Sequence, residues 1–112
     1  MTSTTDPAAD VFVRGVLDAY RATPNTTGLL RTADRRLARD LWDRSVPIET
    51  VKDAFLLATL RRATRPAGSP PLPLIRSLAY FLPVIEELLV TPLPPGYRLY
   101  LHAKLSRTNP TP

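Results

Sequence analysis

Residues 46–65, VPIETVKDAFLLATLRRATR, form the longest run of the chain with the signature of one amphipathic helix. Ile48, Val51, Ala54, Phe55 and Ala58 recur at spacings of three and four, which puts them on one stripe, while Glu49, Lys52 and Asp53 fall on another. Pro47 suits a first turn, where its missing N–H has no helical partner, and Ser45 stands ready as a cap just before it. At the far end Arg61, Arg62 and Arg65 lie where the carbonyl end of a helix favours positive charge, and Pro66, Gly68, Pro70 and Pro71 stop it. The expectation is a core helix with a basic tail, around which the neighbouring segments pack.

Upstream, residues 32–44 predict a second helix with Thr32 as its cap and Ala33 and Asp34 in its first turn. Leu37, Ala38, Leu41 and Trp42 make its buried stripe; Arg35, Arg36, Arg39, Asp40, Asp43 and Arg44 take the solvated side. The link to the next helix is short, so the two are expected to form a hairpin or a helix-turn-helix. Further back, residues 7–23 predict a first helix, with Phe12, Val16 and Tyr20 on one face, Val13 and Leu17 beside them, Asp10 near the start and Gly15 tolerated. TPNTTG, residues 23–28, reads as a loop, and residues 1–6 as a disordered lead.

Downstream, Pro73 and Leu74 open IRSLAYFLPVIEELLV, with Ile75, Leu78, Ala79 and Leu82 on a stripe extended by Ile85, Leu88 and Leu89. Pro83 interrupts it. A proline inside a helix removes a backbone donor and clashes with the carbonyl four residues back, so two pieces or a sharp kink are expected, with Pro83 in the first turn of the second. TPLPPG, residues 91–96, is a proline-stiffened strap. A short helix over residues 97–105 then presents Tyr97, Leu101 and Leu105, with Arg98, Lys104 and Arg107 outside, before a disordered tail at 108–112. The fold class is all-α: a small bundle of four to six helices, one domain over residues 7–107, with no repeat and no alternating strand.

Composition narrows the function. There are no cysteines, so disulfides and thiolate metal sites are excluded, and His102 is the lone histidine. Glu86 and Glu87 are adjacent, about 100° apart on a helix, and cannot converge as an acid and base pair. No phosphate-cradling glycine loop and no nucleophile elbow is present. The expectation is therefore a protein that is not an enzyme and needs no cofactor. No apolar run reaches membrane-span length, and the first residues lack the basic and apolar regions of a signal peptide, so the cytoplasm is the expected location.

Charge points to a ligand. The net charge of +5 is carried mostly by arginine, since Lys52 and Lys104 are the only lysines, and guanidinium forks suit phosphate. An antiparallel hairpin of the second and third helices would set Arg31, Arg35 and Arg36 beside Arg61, Arg62 and Arg65, with Arg76 near by. The first trio opposes its helix dipole, with only Asp34 to compensate, which implies an external anion such as a phosphate backbone. Leu41, Ser45 and Val51 match a helix-turn-helix register with Ser45 in the usual glycine position. Glu49 and Asp53 beside a lone Lys52 nevertheless disfavour reading of the major groove by that third helix. The competing expectation is a protein–protein adaptor that docks through Tyr97, Tyr100 and the TPLPP strap.

The order SVPIETVKDAFLLATLRR, a break, then IRSLAYFLPVIEELL resembles the C-terminal helical module of bacterial primosome and replication-initiation proteins of the DnaD type. In that family a helix entered from a short turn is followed by a segment carrying a tyrosine, three residues and an aliphatic pair. Tyr80, Val84 and Ile85 hold those positions here, with Leu88 where an aromatic is often seen. The resemblance spans residues 45–89 and implies a DNA-associated accessory role alongside other replication proteins.

Overall fold

The computed structural model describes residues 6–108, and the segments 1–5 and 109–112, read above as parts of the lead and the tail, lie outside the described residues. Five α-helices run in the order α1 (Pro7–Ala22), α2 (Thr32–Asp43), α3 (Ile48–Ala63), α4 (Leu82–Val90) and α5 (Tyr97–Thr108), with a 3-10 turn, Leu78–Phe81, leading straight into α4. Among the described residues there is no strand, only an isolated parallel bridge between Thr26 and Ile75. The all-α bundle expected from the sequence is the observed class.

α3 is the axis of the bundle. It packs on α1, α4 and α5, and its buried residues, Val51, Asp53, Ala54, Phe55, Leu57, Ala58 and Thr59, go most of the way round it. Tyr20 of α1, Phe55 of α3 and Phe81 of the 3-10 turn meet at its centre, with ring centroids 4.7 to 6.5 Å apart in tilted and edge-on arrangements. Gly15 belongs to the same packing. A Cβ there would stand 2.8 Å from Cδ1 of Ile48, so the bare glycine lets α1 approach the start of α3 closely.

Several local expectations are corrected. The N-cap of α1 is Asp6, whose carboxylate accepts from the Ala8 N–H at 2.9 Å, so this residue, read above as the end of the lead, belongs to the helix start. The cap residue of α2 is Arg31 rather than Thr32; Asp34 reaches back to accept the Arg31 N–H at 2.9 Å. Ser45 caps nothing. It sits at φ 61° and closes α2, with its N–H on the Trp42 carbonyl (2.9 Å) and the Val46 N–H on the Leu41 carbonyl (3.0 Å). The position that a helix-turn-helix gives to glycine therefore keeps the glycine conformation with a serine in it. Pro47 is the N-cap residue of α3 rather than part of its first turn.

Pro83 lies at the start of α4 with the 3-10 turn ahead of it, so two pieces form, as the proline requires. The helix expected to open at Pro73 does not: residues 73–77 are not helical, and Ile75 is held by the Thr27 N–H on its carbonyl (3.0 Å) and by its own N–H on the Asn25 carbonyl (2.7 Å). α5 continues past Leu105 to Thr108, with Leu101 fully buried.

Candidate nucleic-acid interface

The arginines separate into two sets according to what the fold places beside them. Arg44, Arg61, Arg62, Arg65 and Arg98 are held by the protein's own oxygens. Arg44, at the end of α2, makes a two-pronged pair with Glu86 (2.8 and 3.0 Å), and Arg61 makes another with Glu87 (2.9 and 2.6 Å). These hydrogen bonds hold both carboxyls below the usual glutamate range, against a smaller opposing effect of desolvation. Glu86 and Glu87 diverge as adjacent helical residues must, yet each ties α4 to another element instead of only facing water. Arg98 of α5, expected outside, bonds Asp53 at 2.6 and 3.0 Å and lies 3.8 Å from Glu49. Asp53 shares the second stripe of α3 with Glu49 and Lys52, and with Arg98 of α5 over it the residue is buried.

Arg62 and Arg65 hold a different partner. Arg62 donates to the Tyr80 hydroxyl (3.1 Å) and to the Pro73 carbonyl (2.9 Å), and its guanidinium lies 5.6 Å from the Tyr80 ring centroid. Arg65 donates to the Pro70 carbonyl at 2.6 Å. With Ala58, Leu72 and Val84, the three arginines at the end of α3 and Tyr80 line a cleft of about 230 Å³.

The start of α2 holds the other side of the same segment. Asp34, 2% exposed, accepts the Arg31 N–H with one oxygen and the Leu78 N–H with the other, each at 2.9 Å. Both predicted arginine clumps are thus anchored to residues 70–80, but that segment runs between them. The close hairpin contact expected of α2 and α3 is not the arrangement found: α2 packs chiefly on α1 and the 3-10 turn. Ala38 and Leu41 are buried in the common core, Leu37 and Trp42 pack against it, and Trp42 meets Phe12 of α1 at 5.5 Å between ring centroids, so the apolar stripe of α2 is used on partners other than α3.

Arg31, Arg35, Arg36 and Arg76 are exposed, and none has a carboxylate within ion-pair reach among the described residues. No family model matches the chain, and neither a curated protein nor a solved structure matches it. The site therefore has to be read from its own chemistry. Beside Arg35 the fold adds arginines that the sequence reading left out. Arg14 and Arg21 of α1, with Arg35 and Arg39 of α2, line a groove of about 620 Å³ that also carries Asp10 and Asp18 over Val13, Leu17 and Leu30. Arg14 and Arg21 are seven residues apart and so share a helical face, a signal present in the sequence. What the sequence did not contain was α2 lying alongside that face. Arg39 has only a loose, exposed contact with Asp43 at 3.8 Å.

His102 lies apart from these arginines. It lines an apolar groove of about 390 Å³ between α1, α3 and α5, near Lys52, Phe55 and Leu105. Among the described residues no three His, Cys, Asp or Glu side chains are placed to hold a metal ion together. No helix among them is long and apolar enough to cross a membrane.

Proposed function

We propose that this protein is a non-enzymatic accessory factor of the cytoplasm that holds nucleic acid, DNA first of all, by its phosphate backbone. The interface consists of Arg14, Arg21, Arg35 and Arg36 on the α1 and α2 face, with Arg31 and Arg76 at its edge. One observation carries this reading: these guanidinium groups have no carboxylate partner among the described residues, whereas Arg44, Arg61 and Arg98 are paired within the fold. Arg35 and Arg36 lie in the opening turns of α2, where the helix dipole opposes them, and an external polyanion offsets that cost. Arg62 and Arg65 flank the interface and shape it; Arg61 is committed to Glu87 and takes a structural role. The resemblance of residues 45–89 to DnaD-type proteins supplies the setting we infer, replication or a mobile element.

The test is a salt titration of binding to random-sequence duplex and single strands. Four to six phosphate contacts give a slope of log K against log salt of about −4 to −5 on duplex. Changing Arg14, Arg35 and Arg36 together to Gln should flatten that slope by about one for each contact removed. Arg61→Gln should leave it unchanged. A wild-type protein that ignores both forms of DNA at low salt overturns the reading.

An adaptor role is favoured by a separate observation: Val90 is 83% and Leu99 76% exposed, with the stacked pair Tyr97 and Tyr100 on the same helix as Leu99. Binding that persists at high salt and is lost in Leu99→Asp would transfer the function to that surface.

A further inference from the structure

Residues 70–74, Pro-Pro-Leu-Pro-Leu, cross the surface between the two arginine clumps with every side chain exposed, Leu72 at 41% and Leu74 at 56%. The rings fix φ at Pro70, Pro71 and Pro73, and the residues ahead of each proline are pushed to extended ψ, so the segment is biased to the polyproline II shape. The fold then fastens it from beneath. Arg65 holds the Pro70 carbonyl at 2.6 Å, Arg62 holds the Pro73 carbonyl at 2.9 Å, and the bridge of Ile75 to Thr26 fixes its exit.

This fastening leaves a defined outer face. The carbonyls of Pro71 and Leu72, which lie between the two clamped ones, accept no hydrogen bond from the described residues. Three of the five residues lack an N–H, so the segment cannot add as a strand to the edge of another sheet. What remains is a rigid row of pyrrolidine rings and leucines with free acceptors, followed by the exposed cation Arg76. That chemistry is matched by aromatic rings that stack on prolines while an indole N–H or a phenol O–H donates to a carbonyl. Because the ridge is already ordered, little conformational freedom is lost on binding.

We propose that residues 70–74 are a docking ridge for a protein partner that presents an aromatic-lined groove with an acidic rim, the acid facing Arg76. The ridge adjoins the phosphate-binding face at Arg76 and is distinct from the exposed apolar surface of α5.

The test uses a purified WW domain as the probe, since its groove is aromatic-lined, against the uniformly ¹⁵N-labelled full chain. Saturable amide shifts are expected at Leu72, Leu74 and Arg76, and they should vanish when the probe carries alanine in place of its groove tryptophan. Pro73→Ala should weaken binding roughly tenfold through lost pre-organisation, and Arg62→Gln, which unfastens the ridge without altering its sequence, should weaken it in the same direction. Leu72→Gln, which leaves the charge unaltered, should abolish it while the helical circular dichroism and the affinity for duplex DNA stay unchanged. Absence of shifts at probe concentrations of about 1 mM, the weak end of specific recognition, overturns the proposal. So do shifts centred on other surfaces, or shifts that survive loss of the probe's tryptophan.

Discussion

Replacing Asp34 by alanine probes the joint on which the arginine end is built. The carboxylate is 2% exposed and uses both oxygens on backbone donors: Arg31, the cap position of α2, and Leu78, the entry to the 3-10 turn. The two donors differ in consequence. Arg31 is exposed, so water replaces its partner and the loss is that of a helix cap, about 1 kcal/mol. Leu78 is fully buried, and its orphaned N–H costs about 1–3 kcal/mol. The sum is about 2–4 kcal/mol. For a chain of this length the unfolding entropy near the midpoint converts that into a fall in Tm of roughly 8–16 °C. Thermal and urea unfolding followed by circular dichroism measure it, with Asp18→Ala as an exposed control expected to stay within about 0.5 kcal/mol. Hydrogen exchange supplies the local readout, because the Leu78 amide should lose protection beyond the global change. A cost for Asp34→Ala below about 0.5 kcal/mol, or a Leu78 amide as protected as in the wild type, would refute the claim that this carboxylate joins α2 to the segment 70–80.

Three further outcomes are expected. Ser45→Gly should raise stability by up to about 1 kcal/mol in urea unfolding, because a side chain at φ 61° carries a strain that glycine lacks, while Ser45→Val should lower it by more than that. Gly15→Ala should be near neutral, a helix-propensity gain of about 1 kcal/mol being offset by displacement of the Ile48 side chain, whereas Gly15→Leu should cost about 1–3 kcal/mol as α1 is forced off α3. The folded-state pKa values of Glu86 and Glu87 are depressed, so their pairs with Arg44 and Arg61 stabilise fully above the ordinary glutamate pKa, and the contribution is lost as pH falls through the lowered values. The Tm difference between wild type and the Glu86→Gln, Glu87→Gln double variant should therefore be present at neutral pH and vanish in acid; a difference that persists at the acid end would contradict the pairing.

The helices were legible because each carries its own evidence in its spacing. Phe12, Val16 and Tyr20 mark the inner face of α1, Leu101 marks that of α5, and Pro83 divides the 3-10 turn from α4 by steric necessity. Capping was less legible, since Arg31 or Thr32 could each precede the first turn and only the direction of the Asp34 carboxylate decides between them. Asp53 and Arg98 show the limit most clearly. Periodicity places both on polar faces, and nothing within either helix states that those two faces will meet.

Chain order and side-chain chemistry alone determined that this is a helical bundle, broken where prolines forbid continuation, with an excess of arginine that its carboxylates do not match. Only the tertiary structure decided which arginines are spent. Helix docking is governed by the complementarity of surfaces far apart in sequence, and it gave the stripe of α2 to α1 instead of α3. That choice drew Arg14 and Arg21 alongside Arg35 and left residues 70–80 between the two predicted clumps, while the packing of α4 on α3 brought Glu87 within reach of Arg61 and Glu86 within reach of Arg44. A formal charge is fixed by the residue, but whether it is free to meet a ligand depends on the distance to the nearest opposite charge, and folding sets that distance.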